Sequence, residues 1–126
     1  MSVERLIDRY CTAWSLPDPA ARAAALREVW ADGATYTDPT AHTTGADALL
    51  AHITQVQAAY PGARIERTSA IDAHHGMARF AWEMTLADGS RLPEGLDIAR
   101  LSADGTRIAS ITGFFGPLKP RTTFTS

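Results

Sequence analysis

Cysteine is nearly absent from this chain, since Cys11 is the only one among 126 residues. A lone cysteine excludes an internal disulfide. The N-terminal stretch MSVERLIDRY also lacks the uninterrupted apolar segment of a signal peptide. Because disulfides and signal peptides are features of exported proteins, we expect a cytoplasmic protein that folds without covalent cross-links.

Long hydrophobic runs and an excess of one charge are missing as well. The longest apolar runs span only a few residues, whereas a helix needs roughly 20 to cross a bilayer. Twelve basic residues against fourteen acidic ones give a formal net charge of −2, and no basic run is available to neutralise phosphates. The sequence therefore predicts neither a membrane protein nor a nucleic-acid partner.

What is present fits one globular domain over residues 1–126. This length, with 45% hydrophobic residues, suffices for a single core with room for an internal pocket. Neither an internal repeat nor a linker interrupts the chain. The segment PLKPRTTFTS contains two prolines and no period, which predicts an irregular tail over residues 117–126.

The first half of the chain has the apolar spacing of three helices. Ser2 can cap the first helix, which ends before Pro17. Asp18, followed by a proline, can start the second helix, and Pro61 closes the third.

A short β-prone segment over residues 34–37 follows the second helix. It runs into Asp38 and a proline, and proline forces the preceding residue out of the helical region. Asp38 is therefore expected at the end of a strand, ahead of a polar loop over residues 40–44.

The second half changes to the alternating pattern of strands. Every second residue is apolar in the stretch FAWEMTL, which indicates a strand with one apolar face. Turn signals delimit four such stretches, near residues 64–72, 77–86, 92–101 and 107–115. Helices followed by an antiparallel meander predict an α+β domain, with the helices gathered on one face of a curved sheet.

The last predicted strand has apolar residues of both parities. Ile108 and Phe114 fall on one side, and Ala109, Ile111 and Phe115 fall on the other. Both faces of this strand should therefore meet apolar surface. We expect one of the two faces to form a subunit contact in a homodimer.

Five segments carry a resemblance to a known superfamily. They read IDRYCTAW, EVWADGATYTDPT, TGADALLAHI, EGLDIARL and GTRIASITGFFGP. Together they resemble the nuclear transport factor 2-like superfamily, over Ser2 to about Lys119. That superfamily includes ketosteroid isomerases, SnoaL-type polyketide cyclases, limonene epoxide hydrolases and members without known activity. The resemblance implies a cone of three helices on a strongly curved, mostly antiparallel sheet, commonly dimeric.

The most similar catalytic pattern is that of ketosteroid isomerase. The resemblance places its general base at Asp38 and its two oxyanion donors at Tyr10 and Asp97. Moving a proton next to a carbonyl needs a carboxylate to take the proton and donors to hold the enolate oxygen. Asp97 lies between apolar strand residues, where burial would keep its carboxyl protonated and able to donate. The chemistry implied needs no cofactor.

A set of aromatic and apolar residues is expected to line a pocket for a small apolar molecule. The candidates for substrate binding are Trp14, His42, Phe80, Trp82, Met84 and Phe115. Among the other histidines, His52 is expected on the solvated side of the third helix. His74 and His75 sit at a predicted turn and point to opposite faces, so we predict no metal site.

Each catalytic candidate also has a structural interpretation. Asp38 could simply cap a turn, Tyr10 could be a core residue, and Asp97 could pair with Arg79 or Arg100. A SnoaL-type cyclase, a non-catalytic binding protein and an interaction module with a filled cavity remain open. Limonene epoxide hydrolase is less favoured, because Gly95 stands where that enzyme carries an arginine.

Overall fold

The computed structural model describes residues 1–121, and its first half contains three helices. They are α1 (Val3–Ser15), α2 (Pro19–Val29) and α3 (Ala46–Ala59). Ser2 caps α1 by accepting the backbone N–H of Arg5, and Asp18 caps α2 by accepting that of Ala21 at 2.9 Å. Both predicted caps are confirmed.

Within residues 1–121, seven strands form a single sheet. They are β1 (Trp30–Asp38), β2 (Ala41–Thr44), β3 (Arg64–Arg67), β4 (Asp72–His74), β5 (Met77–Thr85), β6 (Gly95–Leu101) and β7 (Ile108–Phe115). Their order is β2-β1-β7-β6-β5-β3, and β4 also pairs with β5. Among these seven strands, β1 and β7 form the one parallel pair. The α+β class and the cone-like arrangement of three helices on a curved, mostly antiparallel sheet are confirmed.

The short strand and the loop around Asp38 are longer and more regular than predicted. β1 begins at Trp30, directly after α2, and the expected loop over residues 40–44 contains β2. β2 pairs antiparallel with β1, so that Asp38 faces Ala41 across a tight turn. The residues of β2 are mostly polar, as is common in an edge strand. The sequence therefore has no alternating apolar pattern that would have predicted this strand.

A β-bulge changes the expected faces of β7. Arg100 pairs with Ser110 and Leu101 pairs with Ile108, which leaves Ala109 as an extra residue. Because of the bulge, the alternation of side chains between the two faces of β7 shifts by one residue. Ile108 therefore lies in the core with Ile111, and the prediction that it shares a face with Phe114 is wrong.

The concave face of the sheet is covered by the helices, and its outer face carries exposed apolar residues. One core cluster joins α1, α2 and α3 to the sheet. Met77, Ile98 and Phe114 lie on the outer face and are 36%, 36% and 52% exposed. Residues 117–121 form neither helix nor strand, and residues 122–126 of the predicted tail lie outside the described part of the chain. The helices of residues 1–121 are too short or too polar to span a membrane.

Candidate active site

A cavity of about 480 Å³ lies between the helices and the concave face of the sheet. Its wall consists of Tyr10, Trp14, Tyr36, Asp38, Thr40, His52, Val56, Tyr60, Ile65, Trp82, Met84, Leu92, Pro93, Asp97, Phe115 and Gly116. Aromatic and aliphatic side chains make up most of this wall, with two carboxylates among them. Such a combination of apolar walls with few polar groups is typical of small-molecule sites.

Asp38 sits where β1 ends, with its side chain 3% exposed. The Tyr36 hydroxyl donates to Oδ2 at 2.5 Å. The backbone N–H and the hydroxyl of Thr40 both donate to Oδ1, at 2.7 and 2.8 Å. Asp38 therefore both caps the turn into β2 and presents its carboxyl to the cavity.

Asp97 occupies the inner face of β6 and is 6% exposed. The indole Nε1–H of Trp82 donates to its Oδ1 at 2.9 Å. Burial raises the pKa of Asp97 from its ordinary value to about 7, and the negative charge of Asp38 adds to this rise against the lowering effect of Trp82. Close to neutral pH, a large share of the Asp97 carboxyls is thus protonated.

The predicted alternative, in which an arginine pairs with Asp97, is wrong. Arg79 instead binds Asp72 at 3.0 Å. Arg100 is exposed and lies three residues from Asp97 in the same strand, so its side chain is on the other face of the sheet.

Tyr10 is the third candidate from the sequence, and it reaches the cavity from α1. It is 2% exposed. Burial, together with the negative charge of Asp97, raises the pKa of Tyr10 well above its ordinary value. The hydroxyl therefore stays protonated and is able to donate a hydrogen bond.

Two of the expected pocket residues lie elsewhere. Phe80 is 1% exposed and belongs to the core, because the inner face of β5 passes from core to cavity between Phe80 and Trp82. His42 pairs with Thr37 across β1 and β2, and its Nδ1 lies 2.7 Å from the Thr37 hydroxyl. Cross-strand partners share a face, so His42 lies on the face opposite Asp38. Trp14, Trp82, Met84 and Phe115 do line the cavity.

His52 is a cavity residue that the sequence interpretation missed. Its side chain is 14% exposed rather than solvated, and its Nε2 lies 3.8 Å from Oδ2 of Asp38. This buried nitrogen has no hydrogen-bond partner within residues 1–121. The helical spacing contained the signal, because His52 is three residues after Leu49 and four before Val56, on the same face of α3.

Two strand glycines make room for the site. A Cβ at Gly113 would lie 2.7 Å from Oδ1 of Asp97 and 3.7 Å from Cβ of Asp38. A Cβ at Gly95 would lie 2.5 Å from Cε2 of Trp82. Glycine inside a strand often marks such a close approach, and this signal was available in the sequence.

We expect the free energy of unfolding to fall as the pH rises from about 4 through about 7, because of Asp97. With its pKa raised to about 7, folded Asp97 holds a proton that the unfolded chain, at an ordinary value of 3.8, releases. The stabilisation that Asp97 contributes is therefore complete below pH 3.8, the ordinary pKa, and is lost as the pH rises through about 7. Urea titrations followed by tryptophan fluorescence should show a fall on the order of 2–4 kcal/mol across this range.

The control is Asp97→Asn, which keeps an oxygen for Trp82 but cannot titrate. The two proteins differ only at this carboxyl, so the difference between the two pH profiles reports the contribution of Asp97. Parallel profiles would contradict the expectation.

The comparisons with known proteins identify the family. A model of the SnoaL-like domain matches residues 7–111. The chain belongs to the SnoaL-like family. A comparison with curated proteins found no match.

Three solved structures with the same fold are informative. A candidate isomerase of the SnoaL-like family from Agrobacterium tumefaciens is 27% identical, with a TM-score of 0.83 over 90% of this chain and 96% of that one. A candidate polyketide cyclase from Sinorhizobium meliloti is 19% identical, with a TM-score of 0.69 over 86% and 93%. A protein of ketosteroid isomerase-like fold from Catenulispora acidiphila, in complex with trimethylamine, is 14% identical, with a TM-score of 0.71 over 91% and 88%.

Proposed function

We propose that this SnoaL-like protein is a cofactor-independent isomerase that moves a proton next to the carbonyl of a small apolar substrate. The observation that carries the proposal is the meeting of Tyr10, Asp38 and Asp97 on the wall of one cavity. These residues come from α1, β1 and β6, so only the fold brings them together. They supply a carboxylate and two hydrogen-bond donors, which are the groups that enolisation needs.

Each proton has a defined path in this reaction. Asp38 takes a proton from the carbon next to the carbonyl, and the electron pair of the broken C–H bond forms the enolate. The enolate oxygen accepts hydrogen bonds from the Tyr10 hydroxyl and from protonated Asp97. Asp38 then returns the same proton to a different carbon, which moves the double bond and restores the carboxylate.

The surroundings of these groups support the assignment of their roles. Trp82 holds Asp97 through Oδ1, which leaves the other oxygen to carry a proton towards the cavity. Apolar walls exclude water, and charge interactions are stronger where water is excluded. The same walls favour an apolar substrate over a hydrophilic one.

The proposal is tested by incubating the purified protein with β,γ-unsaturated ketones of one to four rings. Conjugation of the double bond raises ultraviolet absorbance, so turnover is read directly. Acceleration over buffer for at least one ketone supports the proposal. Rates equal to buffer across the whole panel contradict it.

A second candidate function is binding without turnover. Asp38 already accepts three hydrogen bonds, from Tyr36 and twice from Thr40, and a step that protonates it must weaken them. A ligand that binds the cavity but is never converted would favour this alternative.

A polyketide cyclase is a third candidate, supported by the likeness to the Sinorhizobium meliloti protein, and cyclisation of a linear polyketide would distinguish it.

We further propose a homodimer formed through the outer face of the sheet. Met77, Ile98 and Phe114 are exposed apolar residues on the outer face of three adjacent strands, and Phe114 pairs there with Leu96; exposed apolar surface of this kind marks interaction sites. We expect sedimentation to give a dimer at micromolar concentration and Phe114→Asp to give a monomer, since the charge would be buried without a partner. Leu118→Asp, at a residue 95% exposed, is the control and should remain dimeric. A monomeric wild type would contradict the proposal.

A further inference from the structure

We propose that the cavity also binds a small methylated ammonium ion, held between the carboxyls of Asp38 and Asp97 and the surrounding aromatic rings. This inference concerns binding at the same cavity and does not depend on isomerase turnover. The expected ligand is an organic cation with methyl groups on nitrogen, such as the head of choline.

The charge of the cavity wall favours a cation. Asp38 and Asp97 flank Gly113 on neighbouring strands, close enough for the charge of one to raise the pKa of the other. In the part of the chain that the structure describes, no lysine or arginine lines the cavity. The titratable groups that face it are Tyr10 from α1, Tyr36 and Asp38 from β1, His52 from α3, Tyr60 at the end of α3, and Asp97 from β6. Of these, His52 alone can become positive.

The two carboxyls offer different contacts. Trp82 occupies Oδ1 of Asp97, and no hydrogen bond from residues 1–121 reaches Oδ2, although the residue is only 6% exposed. Because Asp97 lines the cavity, this oxygen is available to a ligand. Tyr36 and Thr40 occupy both oxygens of Asp38, which therefore offers charge rather than an open acceptor. A quaternary ammonium fits beside Asp38 because it carries charge but has no N–H to donate.

Aromatic rings line the same space. The rings of Trp14 and Tyr36 lie 5.4 Å apart on one side. Trp82 and Phe115 meet edge to face at 6.1 Å on another, and Tyr60 stands 42% exposed in the wall. A cation over such rings is attracted by their electron-rich faces, and the attraction grows as water is excluded. A neutral alkyl group of the same shape would gain only the apolar contact.

The test compares choline with 3,3-dimethylbutan-1-ol, which replaces the quaternary nitrogen by carbon and is otherwise the same shape. Binding is followed by NMR titration of the full chain at constant ionic strength. We expect choline to bind about tenfold more tightly or better. Equal affinities, or tighter binding of the alcohol, would overturn the inference.

Charge-neutral variants locate the site. Asp38→Asn should weaken choline at least about fivefold and leave the alcohol unchanged, since the charge is lost while the amide oxygen can still accept from Thr40. Asp32→Asn, at an exposed residue of the same strand, removes an equal charge and should change neither affinity. An equal loss in both variants would show general attraction by net charge and overturn the inference. Tyr60→Leu provides a second site variant, and it should weaken choline more than the alcohol.

The pH dependence of binding gives an independent check. Choline should bind more tightly as the pH rises through about 7, because burial raises the pKa of Asp97 to about 7 and the carboxyl ionises there. Asp97→Asn should reduce this dependence, and an unchanged dependence would count against the inference. Selective choline binding in a protein without ketone turnover would refute the isomerase and leave this inference standing. Ketone turnover without selective choline binding would overturn this inference and leave the isomerase proposal standing.

Discussion

Asp38→Asn is expected to lower kcat for an accepted β,γ-unsaturated ketone by about 10²–10⁴-fold, with little change in KM. The carboxylate is the group that takes and returns the proton, whereas an amide of the same size can do neither. The amide oxygen can still accept from Thr40, as the carboxylate does at 2.7 and 2.8 Å. The variant should therefore keep the turn into β2 and the shape of the cavity.

Two measurements separate this catalytic effect from a structural one. The urea midpoint of Asp38→Asn should stay close to that of the wild type, and Asp32→Asn should retain full turnover, since Asp32 is exposed on the same strand. Turnover of Asp38→Asn within threefold of the wild type would remove Asp38 from the mechanism, whatever the fate of Tyr10 and Asp97.

Local signals in the sequence were sufficient for most of the fold. The caps at Ser2 and Asp18 depend on backbone groups three residues away, so a short window of sequence contains all the necessary information. The strand end at Asp38 follows from the proline beside it. The bulge at Ala109 was missed, because it depends on the pairing of β6 with β7, which a single strand does not reveal.

Some residues of the candidate site could be predicted from the sequence, and others depend on tertiary contacts. Tyr10, Asp38 and Asp97 could be named from a family resemblance, whose motifs mark them directly. Tyr36 and His52 could not, because their importance comes from contacts with Asp38 at 2.5 and 3.8 Å. Phe80 shows the opposite error. It has the same strand parity as Trp82, yet parity predicts a face of the sheet and not whether that position meets the core or the cavity.

Gly95→Ala is expected to lower the free energy of unfolding by about 1–3 kcal/mol, as overpacking does. A Cβ at this position would lie 2.5 Å from Cε2 of Trp82 and 2.9 Å from the carbonyl oxygen of Phe114. The indole is held by Asp97 at 2.9 Å, and the carbonyl belongs to the neighbouring strand. Neither can move without breaking a hydrogen bond or shifting the backbone.

Gly113→Ala provides the comparison, because the closest contact of its Cβ would be the end of a side chain, Oδ1 of Asp97 at 2.7 Å. That carboxyl can rotate, so we expect a smaller loss of stability but a clear loss of turnover, since Asp97 leaves Trp82. Thr112→Ala, at an exposed position of β7, serves as the control for strand propensity. Urea titrations should rank the loss as Gly95→Ala, then Gly113→Ala, then Thr112→Ala. If Gly95→Ala is as stable as Thr112→Ala, the close packing of Trp82 does not fix Asp97, and the position of the second oxyanion donor must depend on other contacts.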